Sequence, residues 1–251
     1  MEKPAYKMIL PQINDLKGKK KAFAWLIDPD KYSVENISSQ ISLAELSGVD
    51  FIFVGGSLIH NHVDELIIKV KSLSKIPVIL FPGSPLQLSP DADAILFLSL
   101  ISGRNPEYLI GNHVVAAPFL RKSGVEVIPT GYILIDGGQQ TSVSYMSNTQ
   151  PIPADKPDIA QATAMAGEML GLKVIYMDAG SGAINRISKT MISVVANEVK
   201  IPLVVGGGIR TQSDVRDAYS SGADVVVVGN AAEANYNLLI DMIAERDRFN
   251  I

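Results

Sequence analysis

Short apolar runs recur along the chain at the spacing of alternating strands and helices. They predict strands at Ala22 to Ile27, Phe51 to Val54, Val78 to Phe81 and Ala94 to Leu98. Further strands are predicted within Val125 to Ile135, with a candidate interruption near Pro129, and at Val174 to Met177, Leu203 to Val205 and Val225 to Val228. The intervening pattern predicts helices over Val34 to Ser47 and about His62 to Ser74, and one beginning near Asp158. Such a series without a long Gly/Ser linker argues for a single (β/α)8 barrel domain over residues 1–251. After the third strand, Gly83 to Pro90 has room for barely one turn, so the helix there is expected to be degraded. A long insertion, Asp136 to Pro157, follows the fifth strand and is expected to lie over the C-terminal mouth.

Composition narrows the classes. The length of 251 residues suits one such barrel, and 47% hydrophobic content is ordinary for a globular protein. A formal net charge of −4 with no basic stripe speaks against nucleic acid as a partner. Lys17, Lys19, Lys20 and Lys21 form the one tight basic cluster, read as a solvated approach to the first strand rather than a membrane patch. The absence of cysteine excludes disulfides and cysteine–metal sites. No apolar N-terminal leader and no stretch near twenty apolar residues is evident, so a soluble cytoplasmic protein is expected.

The strand ends carry the candidate chemistry, because barrel sites are built at that face. Val204-Val205 runs into Gly206-Gly207-Gly208-Ile209-Arg210, and Val225 to Val228 ends in Gly229-Asn230. Glycines there let backbone N–H groups approach an anion, and the following helix N-terminus adds its dipole. Two such units in succession fit the phosphate site after the seventh and eighth strands, although tight turns alone also use glycine. The first strand ends in Asp28-Pro29-Asp30-Lys31. Asp28 faces the mouth as a candidate Mg²⁺ ligand or helix cap, and Asp30 reads as the cap of the next helix. Gly55-Gly56-Ser57 ends the second strand, with Ser57 a plausible second metal ligand. Ser84, after the third, offers a hydroxyl to ligand or helix cap. Tyr176-Met177-Asp178-Ala179-Gly180-Ser181-Gly182 puts a further carboxylate, a candidate general base, beside small residues able to wrap a compact polar ligand. His60, His62 and His113 show no metal-ligand pattern. Two separated anion-compatible regions, one with a metal, suggest a two-substrate reaction.

Taken in order, these motifs resemble the geranylgeranylglyceryl phosphate synthase family from the first strand to the last. The insertion Gly137 to Thr149 is similar to that of its longer, second group. The resemblance implies ether formation between the 3-hydroxyl of sn-glycerol 1-phosphate and a polyprenyl diphosphate, with release of pyrophosphate. It implies Mg²⁺ held by Asp28 and Ser57. It also implies glycerol phosphate held by Tyr176, Met177, Asp178, Ala179, Gly180, Ser181 and Gly182, with Gly207, Gly208, Gly229 and Asn230. Asp178 is the implied base, one methylene shorter than the glutamate more common in the family. Phe81, Phe97, Leu98 and Tyr132 are candidate groove residues for the prenyl tail. Homo-oligomers, dimers or hexamers, and transient contact with a membrane surface are also implied. A metal-independent isomerase of a phosphorylated sugar or amino-sugar on the same barrel is the competing reading, and a non-catalytic phosphometabolite binder a weaker one.

Overall fold

The computed structural model describes residues 8–32, 37–229, 231 and 236–250. Eight parallel strands, in sequence order, close into a barrel. They are β1 (Ala22–Ile27), β2 (Phe51–Val54), β3 (Val78–Leu80), β4 (Ala94–Leu100), β5 (Glu126–Leu134), β6 (Val174–Asp178), β7 (Leu203–Gly206) and β8 (Val225–Val228). Pro129 does not interrupt β5. It sits opposite Phe97 in the β4 ladder. Its missing N–H points towards β6, where pairing begins only at Thr130 opposite Val174.

Alternation along the strands divides the core in two. Ala24, Phe53, Ile79, Leu96, Tyr132, Tyr176 and Val227 fill the barrel interior. Trp25, Ile52, Ile133, Met177, Val205 and Val226 face the surrounding helices. Those helices are α2 (Ser38–Ser47), α3 (Val63–Leu73), α4 (Asn112–Ser123), α6 (Pro157–Met169), α7 (Lys189–Glu198), α8 (Gln212–Ser220) and α9 (Tyr236–Arg248). A short α1 (Ile9–Asn14) closes the N-terminal end of the barrel with Ile9 and Ile13, and its Leu10 N–H donates to Glu126 at 2.9 Å. At that end carboxylates also pin strand starts: Asp50 accepts from Phe23 N–H, Asp93 from Val78 N–H and Asp224 from Leu203 N–H. Lys17 and Lys21 lie 3.4 and 3.6 Å from buried Asp224. Part of the basic cluster thus compensates a buried charge rather than being solvated.

The helix after β3 is reduced to one 3-10 turn, Pro85–Gln87, as its sequence suggested. β3 pairs with β4 only at Ile79–Ala94 and Leu80–Ile95, while β4 continues to Leu100. The barrel wall is therefore open beside the upper half of β4. The insertion after β5 holds a short helix, α5 (Ser142–Ser147), with Thr141 in a capping box, and contributes Ser142, Val143 and Met146 to the mouth. Among the described residues, no helix is long and apolar enough to cross a membrane.

Candidate active site

A cavity of about 590 Å³ occupies the C-terminal mouth, within the range of small-molecule sites. It receives Asp28 and Ser57 from one side and Tyr176, Asp178, Gly180, Ser181, Gly182, Gly207, Gly208 and Gly229 from the other. Met177 and Ala179 do not line it. Their side chains are buried in the layer between strands and helices, so this segment reaches the cavity through its other members. Asn230 lies outside the described residues.

Asp178 is the most enclosed carboxylate of the mouth, at 6% exposure. β5–β6 register sets Leu134 opposite Asp178 and Tyr132 opposite Tyr176. The Tyr132 hydroxyl reaches up and donates to Asp178 Oδ2 at 2.5 Å, and Gly180 N–H donates to Oδ1 at 2.8 Å. Burial pushes the Asp178 carboxyl above its ordinary range, and these two hydrogen bonds pull it partly back. Burial and the adjacent carboxylate push the Tyr132 hydroxyl well above its usual value, so it stays protonated. In Tyr132→Phe the Asp178 carboxyl loses a bond to its charged form. The acid limb of the kcat–pH profile is then expected to move to higher pH, with about tenfold lower kcat at neutral pH. An unmoved limb would show that Tyr132 does not set the ionisation of Asp178.

Gly207 backs this carboxylate at a distance no side chain could occupy. At φ +78°, its added Cβ would lie 2.4 Å from Asp178 Oδ1 and 2.6 Å from Ala179 N. Gly207→Ala is expected to weaken phosphate binding at this turn by about tenfold or more, measured calorimetrically with inorganic phosphate, because the turn must shift. Wild-type affinity in that variant would separate the turn from the ligand. Arg210 holds the other side of the site. Its guanidinium donates to the Ala183 carbonyl and, at 2.9 Å, to the Ile184 carbonyl. Gln139 of the insertion donates to the Gly182 carbonyl at 2.5 Å, and Asn185 N–H donates to the Gly137 carbonyl at 2.9 Å. The insertion thus lies over the mouth, as expected, and is fastened to the β6–α7 loop.

At the other end, Asp28 Oδ1 accepts from Asp30 N–H at 3.0 Å, and Oδ2 is 3.9 Å from Lys31 Nζ. A Cβ on Gly56 would lie 3.9 Å from the Asp28 carboxyl carbon, so the β2 loop bearing Ser57 packs directly beside this carboxylate. Asp30 does not cap the next helix. α2 begins at Ser38 without a side-chain cap. The Asp30 carboxylate instead accepts from His60 N–H and Asn61 N–H, both at 2.9 Å, clipping the β1 loop to the β2 loop. These bonds hold its carboxyl below the usual range. Ser84 is indeed a cap, of the 3-10 turn, and also lines the cavity. No cluster of three or more His, Cys, Asp or Glu occurs among the described residues. One carboxylate with a nearby hydroxyl and backbone oxygens is the donor set of Mg²⁺ held largely by substrate phosphates and water, and the residues fit that mode.

Between the two ends the wall is aromatic and apolar. Phe81 lies 5.2 Å from the Tyr176 ring, and Tyr132 meets Tyr176 edge-on at 5.5 Å. Beyond them Leu88, Phe97, Leu98, Tyr108 and Ala116 line a groove towards the open β3–β4 wall. His113 also lines this groove, edge-on to Phe97 at 4.3 Å. Burial pushes its imidazole below the usual value, which keeps it neutral. Position on α4 brings it there, and nothing in its local sequence marks it.

The chain matches the family model described as the PcrB family over residues 15–247. It is 58% identical over 226 residues to the geranylgeranylglyceryl phosphate synthase of Chitinophaga pinensis, covering 88% of each chain. It is 50% identical over 232 residues to that of Spirosoma linguale, covering 92% of this chain and 93% of the relative. Among solved structures it resembles (S)-3-O-geranylgeranylglyceryl phosphate synthase from Thermoplasma acidophilum in complex with substrate sn-glycerol-1-phosphate. That match has a TM-score of 0.92 at 33% identity, over 97% of this chain and 100% of the other. The chain belongs to the PcrB family, alongside relatives named geranylgeranylglyceryl phosphate synthase.

Proposed function

We propose that this protein joins the 3-hydroxyl of sn-glycerol 1-phosphate to C1 of geranylgeranyl or a similar polyprenyl diphosphate in a Mg²⁺-dependent reaction. The observation that carries the reading is one cavity with two unlike ends: a glycine-lined anion site around buried Asp178, and the Asp28–Ser57 end beside an apolar groove. The relatives' names and the glycerol phosphate complex of the Thermoplasma enzyme support it.

Each step has an assigned residue. Backbone groups at Gly207, Gly208 and Gly229 receive the phosphate of the glycerol substrate. Tyr132 and Gly180 fix the Asp178 carboxylate so that it accepts the proton of the 3-hydroxyl. Burial favours the neutral carboxyl that results, so the site drives this transfer forward. Asp28 and Ser57 would hold Mg²⁺, which would supply positive charge for the developing pyrophosphate. As the C1–O bond breaks, its electron pair leaves with pyrophosphate and the glycerol oxygen bonds to C1. The Phe81 and Tyr176 rings keep water away from the allylic carbon meanwhile. The tail lies along Phe97 and Leu98 in the gap left by the missing helix.

A homo-oligomer is part of the same reading. Ile110, Val114 and Val115 stand 60 to 67% exposed along α4 and the turn before it, an apolar stripe suited to a second copy. Calorimetry tests the two-ended site. Inorganic pyrophosphate is expected to bind only with Mg²⁺, and sn-glycerol 1-phosphate equally well without it. Metal-dependent binding of both, or of neither, would contradict the assignment.

A further inference from the structure

Where the third barrel helix is missing, the chain makes one turn and comes straight back. Ser84 starts it, accepting from Leu86 N–H at 3.3 Å, with Pro85 at the first position. The turn leaves Gln87 only 3% exposed, behind the residues that line the mouth. Its Oε1 accepts from Gly83 N–H at 2.9 Å, and its Nε2 donates to the Gly56 carbonyl at 2.9 Å. One carboxamide thus joins the β2 loop to the β3 loop. Those loops touch backbone to backbone: a Cβ on Gly83 would lie 2.4 Å from the Gly56 oxygen and 2.7 Å from the Ser57 oxygen. With both glycines lacking side chains, Gln87 is the polar side chain that ties these loops together.

We propose that Gln87 is a positioning residue for the diphosphate end, fixing Gly56-Ser57 against Gly83-Ser84 so that both segments face the same bound anion. The inference rests on the assignment of that end to the diphosphate. It also gives the degraded helix a purpose, since a full helix after β3 would carry the chain away from the mouth. The chemistry of the join is specific. A carboxylate cannot donate to the Gly56 carbonyl, and methionine can neither donate to it nor serve Gly83 as more than a weak acceptor. A protonated carboxyl can do both.

The test compares wild type, Gln87→Glu and Gln87→Met for binding of inorganic pyrophosphate with Mg²⁺, with sn-glycerol 1-phosphate as the internal reference and thermal unfolding as the fold control. At about pH 8.5, both variants are expected to lose roughly tenfold or more in pyrophosphate affinity, the cost of unpaired buried backbone groups, with glycerol phosphate affinity unchanged. At about pH 6, Gln87→Glu is expected to approach the wild-type value measured at the same pH, because burial lets the introduced carboxyl take a proton, while Gln87→Met does not recover. In turnover the loss appears as a raised KM for the prenyl diphosphate. If Gln87→Glu fails to unfold cooperatively at the higher pH, Gln87→Met, which introduces no charge, carries the comparison. Wild-type pyrophosphate affinity in both variants, or equal loss of both ligands, overturns the proposal. Asp28→Asn separates the two levels. If that variant also keeps Mg²⁺–pyrophosphate binding, the site assignment fails. If it loses binding while the Gln87 variants keep it, only the role of Gln87 fails.

Discussion

Replacing Asp178 by asparagine is expected to lower turnover by about 10²-fold or more without loss of fold. The amide is isosteric with the carboxylate. It can still accept from Gly180 N–H, and the Tyr132 hydroxyl can turn to accept from the new NH2. What disappears is the capacity to take the proton of the attacking hydroxyl. Stability is expected to move the other way. The folded Asp178 carboxyl is raised above its unfolded value, so the native state binds more protons than the unfolded one between those values. Through that window stability falls as pH rises, and above it the burial cost is present in full. A neutral amide removes this cost, so the thermal midpoint at neutral pH is expected to stay level or rise while activity collapses. Steady-state turnover with differential scanning calorimetry checks both. Wild-type turnover in this variant would reduce Asp178 to a contact.

Asp28→Asn is expected to abolish Mg²⁺-dependent turnover, again with the fold intact. Asp28 is the carboxylate that the β1 end presents to the cavity, and no acidic cluster among the described residues replaces it. The amide can still accept from Asp30 N–H, so the β1 loop keeps its shape. It has no charge to hold a strongly hydrated cation. Initial rates over a Mg²⁺ titration give the result, and a rate that saturates at the wild-type level would remove Asp28 as ligand. Binding of sn-glycerol 1-phosphate is expected to be unchanged, because the site proposed for that substrate is at the opposite end.

Much of this was legible in the residues. Apolar runs marked all eight strands, with β2, β7 and β8 stopping at glycine, because a buried parallel strand must be apolar on both faces and must stop where the backbone turns into a loop. Asp28 and Asp178 were legible for the same reason, as charges placed where such runs end. α4 was not. Val114 and Val115 stand on its exposed side and Pro118 lies within it, so it has no inward apolar stripe of the usual kind. The Tyr132–Asp178 bond depends on the register between neighbouring strands, which no local pattern encodes. Asp30 and Gln87 escaped for a related reason. Each binds backbone groups of a different loop, across 30 and 31 residues, and so reads locally as a cap and as part of a spacer.

The most direct measurement is transfer of radiolabel from sn-glycerol 1-phosphate into organic solvent in the presence of geranylgeranyl diphosphate, with and without Mg²⁺. Mg²⁺-dependent transfer with release of pyrophosphate is the predicted result. Label that stays in the aqueous phase, with both substrates recovered intact, would contradict the account and return the cavity to a metal-free phosphate site.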